Sequence, residues 1–223
     1  MTASAHRTDP HEPLAALRDT VDTLWTHLAP AGKPEHLRRI LFTAPGHRQG
    51  TTTVALCAAL GLTRHLNAGV TLLETGAPSA TLAVLLGKEP TPGLSEVLGH
   101  VAERAAGTRQ AEDPGLLIMP AGGKAFEAGD LTDERLQEIL KWLAHGRDFL
   151  LIDAPPILLH PEAHPLLWEV DQVVIVLDAG RSRKDEARAL IRMLNKAGVD
   201  VLGCVLNRYR PDLPSWIGGS QLP

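Results

Sequence analysis

The sequence predicts an α/β fold: a three-layer domain with a mostly parallel sheet and helices on both faces. Two observations carry that prediction. Short, near-continuous apolar runs recur along the chain (RRILFT, VTLLE, GLLIMP, DFLLID, QVVIVLD and VDVLGCVLN). Strands buried on both faces read this way, whereas half-exposed strands alternate. Between the runs lie stretches with helical periodicity, and that order of elements specifies parallel strands joined by right-handed crossovers. At 223 residues with 44% hydrophobic and 22% charged residues, the chain can bury a core without disulfides or metals.

The elements follow in order. Residues 1–11 form a polar tail with no apolar stretch of a signal type. A helix is expected over 12–28 (EPLAALRDTVDTLWTHL), with Leu14, Leu17, Val21, Leu24 and Trp25 at helical spacing and Pro13 suited to its first turn. RRILFT is the first strand. It runs into the loop APGHRQG, and TTTVALCAALGLTRHL continues as a helix. VTLLE and GLLIMP are the second and third strands. LTDERLQEILKWLAHG is an amphipathic helix with Leu131, Leu136, Ile139, Leu140 and Leu143 on one face, and Gly146 is its stop. DFLLID, QVVIVLD and VDVLGCVLN complete six strands, with the amphipathic helix SRKDEARALIRMLNKAG before the last. The domain is expected over 12–208, and 209–223 form an extended tail rich in proline and glycine.

Composition excludes several functions. A formal charge of −4 with no basic run argues against a nucleic-acid surface, and no run of 18 apolar residues offers a membrane span. Cys57 and Cys204 lie in apolar segments without CxxC spacing and read as buried free thiols of a reducing compartment, placing the chain in the cytoplasm. HPEAH (160–164) has ligand spacing but no third ligand, and no GxSxG elbow occurs.

The segment FTAPGHRQGTTTV raises the functional question. In a parallel sheet ligands bind beyond the carboxyl ends of the strands, and a glycine turn into a helix start offers main-chain N–H groups to an anion. A phosphate loop of the form GxxxxGK[ST] adds a lysine for the β and γ phosphates and a hydroxyl for magnesium. Here Gly50 is followed by Thr51 at the lysine position, with Thr52 and Thr53 at hydroxyl positions.

From Glu12 to Arg208 the sequence resembles the cytoplasmic kinase domain of bacterial tyrosine kinases (BY-kinases) of capsule and exopolysaccharide synthesis, relatives of the MinD/ParA group of P-loop ATPases. The resemblance rests on EPLAALRDTV, LFTAPGHRQGTTT, GVTLLETGAPSATL, PGLSEVLG, IMPAG, DFLLIDAPP, QVVIVLDAGRSRKDEA and AGVDVLGCVLNR, in that order. It implies a P-loop NTPase fold and ATP or ADP with magnesium as the cofactor of active members. It implies that Arg48, Gly50, Thr51, Thr52, Thr53 and Asn207 lie around the nucleotide, that Thr52 and Asp153 hold magnesium, and that Asp153 and Glu74 are catalytic. Glu12 and Arg18 fall on the helix motif that packs subunits into rings. Implied partners are a membrane-embedded chain-length regulator or activator, an active kinase, or further copies of the chain.

The departures from that pattern define the expectation for this chain. Thr51 replaces lysine, Arg48 a glycine and Ala15 an arginine. The acidic pair of the second strand is Glu74 and Gly76, and Tyr209 is the chain's only tyrosine. The resemblance therefore implies a catalytically degenerate, pseudokinase-like protein that acts by binding other proteins. The alternatives are a slow ATPase, as in pilus-assembly and cellulose-secretion relatives with Gly-Thr-Thr loops, an active kinase phosphorylating a partner, or a pocket for another phosphate-bearing anion.

Overall fold

The computed structural model describes His36 and residues 38–76, 81–98, 107–111, 113–124 and 133–209. The expected helix over 12–28, with Glu12 and Arg18, and the tail beyond Tyr209 lie outside these residues. The elements are β1 (Arg38–Thr43), α1 (Thr51–Leu66), β2 (Val70–Glu74), α2 (Thr81–Leu85), α3 (Leu94–Val97), β3 (Arg109–Gln110), β4 (Leu116–Met119), α4 (Asp133–Ala144), β5 (Phe149–Asp153), a 3-10 helix (Pro161–Trp168), β6 (Gln172–Asp178), α5 (Lys184–Ala197) and β7 (Asp200–Asn207). One sheet takes the order β3-β4-β2-β5-β1-β6-β7. All its pairings are parallel except that of β3 with β4.

The apolar runs form strands because each supplies both faces of the sheet. In β1, Leu41 packs into one core while Ile40 and Phe42 pack into the other; β5 and β6 divide likewise, with Leu150, Ile152, Val173 and Ile175 on the first side. Helix α4 buries Leu136, Ile139, Leu140 and Leu143 on that first side, as its periodicity predicts, and Leu131 lies outside the described residues. Helix α1 covers the opposite face with Val54, Ala55, Leu56, Cys57, Ala59 and Leu60. Side-chain ties reinforce the layers. The Thr71 hydroxyl, fully buried in β2, donates to the Leu143 carbonyl near the end of α4 (2.9 Å), satisfying an acceptor that the helix leaves open.

Two expectations need correction. The two-residue β3 adds an antiparallel edge, too short to leave a periodic signal in the sequence. Cys57 is buried, and burial pushes its thiol up to about 11, but Cys204 is exposed. Its strand β7 is an edge with exposed Leu202 and Leu206, and its pairing with β6 shifts register between Val173 and Val174. Apolar neighbours in sequence do not bury a side chain when the sheet ends beside it. Among the described residues, no helix is long and apolar enough to cross a membrane.

Candidate functional site

Strand β1 is flanked by β5 on one side and β6 on the other. The loop that follows it therefore opens between the carboxyl ends of three strands. A cavity of about 1130 Å³ lies there, lined by residues 46–53, Glu74, Gly76, Asp153–Pro156, His160, Asp178, Gly180, Arg181 and Arg208. Its floor is the start of α1, where Gly50 adopts φ 88° and the Val54 N–H donates to its carbonyl (3.0 Å). A left-handed conformation here suits glycine, and a Cβ would run into the Asn207 side-chain amide. No side chain caps α1, so its first N–H groups face the cavity mouth as an anion cradle.

The structure brings together most of the residues singled out from the sequence. Thr51, Thr52 and Thr53 form the first turn of α1, and the Thr52 hydroxyl hydrogen-bonds Asp153. Asp153 ends β5 and is 5% exposed. Burial pushes its carboxyl up to about 7, against the Thr52 hydrogen bond that lowers it, and the nearby Glu74 charge adds to the rise. A hydroxyl beside a buried carboxylate at the end of the neighbouring strand is the donor set that a magnesium ion on a phosphate uses. At position 51 no ammonium is present.

Glu74 is the register partner of Asp153 across β2 and β5. Its carboxylate accepts from the main-chain N–H groups of Leu82 (3.1 Å) and Ala121 (3.2 Å). This buried side chain thus ties α2 and the loop after β4 to the sheet. Gly76 lines the cavity, and a Cβ there would meet no heavy atom within 4 Å. The second acid of the expected pair is missing without any steric cause.

Asn207 stands behind the loop. Its Nδ2 donates to the Gln49 carbonyl (2.8 Å), and its Oδ1 accepts from the Arg208 N–H (2.9 Å). The cavity wall at this point is Arg208, a residue that the sequence reading passed over. Its Nη1 donates to the Arg48 carbonyl (3.0 Å) and to Asp178 Oδ2 (2.5 Å), and this guanidinium holds the Asp178 carboxyl below its ordinary range. The last side chain of β7, Asn207, and the next, Arg208, thus pin two successive carbonyls of the loop. Gln49, also unremarked in the sequence, is buried beneath. With its amide oriented to satisfy its neighbours, Nε2 donates to the Val176 carbonyl and Ser182 Oγ while Oε1 accepts from the Gly46 N–H. The available signal was positional: Asp178 ends an apolar run as Asp153 does, and strand ends converge on the loop.

Arg48 is exposed yet adopts φ 61°. For a residue with a Cβ this costs about 1–2 kcal/mol, and glycine loses about 0.5–1 kcal/mol of that gain through unfolded-state entropy. Arg48→Gly is therefore expected to stabilise the protein by about 0.5–1 kcal/mol, a rise of roughly 1–4 °C in Tm by thermal denaturation. A fall in Tm would show that the Arg48 side chain itself holds the loop.

No family model matches the chain. It is 29% identical over 121 residues to the putative tyrosine-protein kinase CapB of Staphylococcus aureus, covering 54% of this chain and 53% of CapB. It is 26% identical over 178 residues to the tyrosine-protein kinase CpsD of Streptococcus pneumoniae, covering 78% and 77%. The chain thus spans about half the length of CapB. Among solved structures, the kinase domain of the Escherichia coli tyrosine kinase ETK superposes with a TM-score of 0.77 at 21% identity, over 95% of this chain and 86% of that one. The septum site-determining protein MinD of Pyrococcus horikoshii, solved with Mg-ADP, superposes at 0.65 and 24% identity, over 82% and 76%. The sheet order, the loop after β1 and these superpositions define a P-loop NTPase fold. Within that class the chain is similar in sequence to the tyrosine-protein kinases CapB and CpsD and in fold to the ETK kinase domain.

Proposed function

We propose that this chain is a catalytically degenerate BY-kinase-like protein that works by protein–protein association in capsule or exopolysaccharide biosynthesis. The observation that carries this reading is the combination at the head of α1. Thr51 provides no charge where a triphosphate needs it, and the one carboxylate left on β2, Glu74, is engaged by the N–H groups of Leu82 and Ala121. Phosphoryl transfer consists almost wholly of positioning and charge neutralisation at the transferred group. A site without that cation and the second acid lacks the second of these.

The residues present fit part of an Mg-nucleotide. Main-chain N–H groups at the start of α1 would meet the phosphates, and Thr52 with Asp153 would hold the metal. The terminal phosphate has no counter-charge at position 51. The fold is kept while the catalytic groups are not, and on this reading the chain's work is binding. Its partner is the cytoplasmic side of a membrane-embedded chain-length regulator, an active kinase, or a second copy through the segment carrying Glu12 and Arg18. The setting in polysaccharide synthesis is supported by the kinship with the tyrosine kinases CapB and CpsD.

With Mg-ATP the pure protein is expected to show no hydrolysis or autophosphorylation above that of Asp153→Ala. Clear turnover that Asp153→Ala abolishes would overturn the reading. It would favour a slow ATPase instead, an outcome for which the Thr52–Asp153 hydrogen bond is the supporting feature.

A further inference from the structure

The two flanks of the cradle are built from different side chains. On the β6–β7 side, the Arg208 guanidinium is matched by Asp178 and bound to the Arg48 carbonyl. On the β5 side, beyond Asp153, the cavity wall is His160, at the head of the 3-10 helix. Its ring meets that of His47 from the phosphate loop edge to face, with centroids 5.2 Å apart and planes at 89°. His160 Nδ1 lies 2.7 Å from Glu162 Oε1. A carboxylate on one ring nitrogen fixes the orientation of the ring.

From this geometry we infer that His160, held by Glu162 and backed by His47, is the side chain that meets the terminal phosphate of a nucleoside polyphosphate or pyrophosphate, at the end that a lysine at position 51 would serve. The arrangement sits on the flank shared with Asp153, across the loop from the neutralised Arg208–Asp178 pair. Two imidazoles from separate elements, one oriented by a carboxylate, form a built contact. Binding of this kind is compatible with loss of turnover, because a ring clamped by Glu162 holds an anion in place without following charge onto a leaving group. The inference rests on the reading of the cavity as a phosphate cradle, and on that alone.

The test is calorimetric titration of the full chain with ATP, AMP and pyrophosphate, each with magnesium. His160→Ala is expected to weaken ATP and pyrophosphate roughly tenfold, the range of one charge-assisted hydrogen bond, and to leave AMP within about twofold. Glu162→Gln, which keeps the ring, is expected to give a smaller loss with the same ligand order. In a Thr51→Lys background the His160→Ala loss should shrink, because the new ammonium meets the same phosphate and the two changes cease to add. Equal weakening of AMP and ATP would mark His160 as structural only and overturn the inference. So would a wild-type protein with no affinity for ATP or pyrophosphate, a result that leaves the proposed loss of turnover standing. Turnover by the wild-type protein would sink the proposed function while the ligand order of His160→Ala still decides this assignment.

Discussion

Thr51→Lys is expected to tighten Mg-ATP binding about ten- to a hundredfold. Thr51 stands at the first position of α1 and lines the cavity, so a longer side chain extends into open space rather than into the core. The gain comes from one new charge-assisted contact to the phosphates, worth about 1.5–3 kcal/mol. Turnover should not follow from this change alone, because Glu74 remains engaged with Leu82 and Ala121 and position 76 carries no acid. A Cβ at Gly76 meets nothing within 4 Å, so Thr51→Lys/Gly76→Asp is the sterically open route toward hydrolysis. Titration of the single variant with ATP and a phosphate-release assay of the double variant check the two halves. An unchanged ATP affinity in Thr51→Lys would show that α1 does not begin at a phosphate cradle.

Asp153→Asn is expected to stabilise the metal-free protein at pH 8, and less so at pH 5. Burial in the folded state pushes the Asp153 carboxyl from 3.8 up to about 7, overcoming the Thr52 hydrogen bond, with the Glu74 charge adding to the rise. A carboxyl whose folded pKa is raised contributes stability that is complete below its unfolded pKa and is lost as the pH climbs through the folded one. Between pH 5 and pH 8 about two units of that gap are traversed, so the wild type loses about 2–3 kcal/mol from this group. Asparagine has the same shape, can still bond Thr52 and does not ionise, so the variant escapes the loss. Its advantage over wild type should grow by roughly 5–10 °C in Tm between the two pH values. Thermal denaturation in a chelator measures this. Magnesium should narrow the difference at pH 8, because a cation beside Asp153 favours its charged form. A variant less stable than wild type at pH 8 would refute the account of a buried, uncompensated carboxyl.

These two residues mark how far the sequence could be read. Apolar runs such as FLLID and VVIVL are legible because a strand buried on both faces has to be apolar at every position, and Asp153 and Asp178 stand out as the charged residues that end them. The four-residue face of α4 is legible because helical periodicity is a local property. Gly50 before three threonines is legible as a turn into a helix for the same reason.

Other features depended on strands distant in sequence. Gln49 reads as an ordinary loop residue until β6 and Ser182 close over it, and Arg208 until the end of β7 lies beside the loop. Glu74 reads as a free catalytic acid until Leu82 and Ala121 present their N–H groups to it. Cys204 reads as buried because its neighbours in sequence are apolar, yet its exposure is set by where the sheet ends.

The order of residues alone settled the six longer strands and helices α1, α4 and α5, and that the head of α1 carries a hydroxyl without an ammonium, since these follow from side-chain period and chemistry over a few positions. Folding decided which polar groups face the cavity and which are already satisfied, because a hydrogen bond or a charge contact depends on distances between segments that no local pattern encodes.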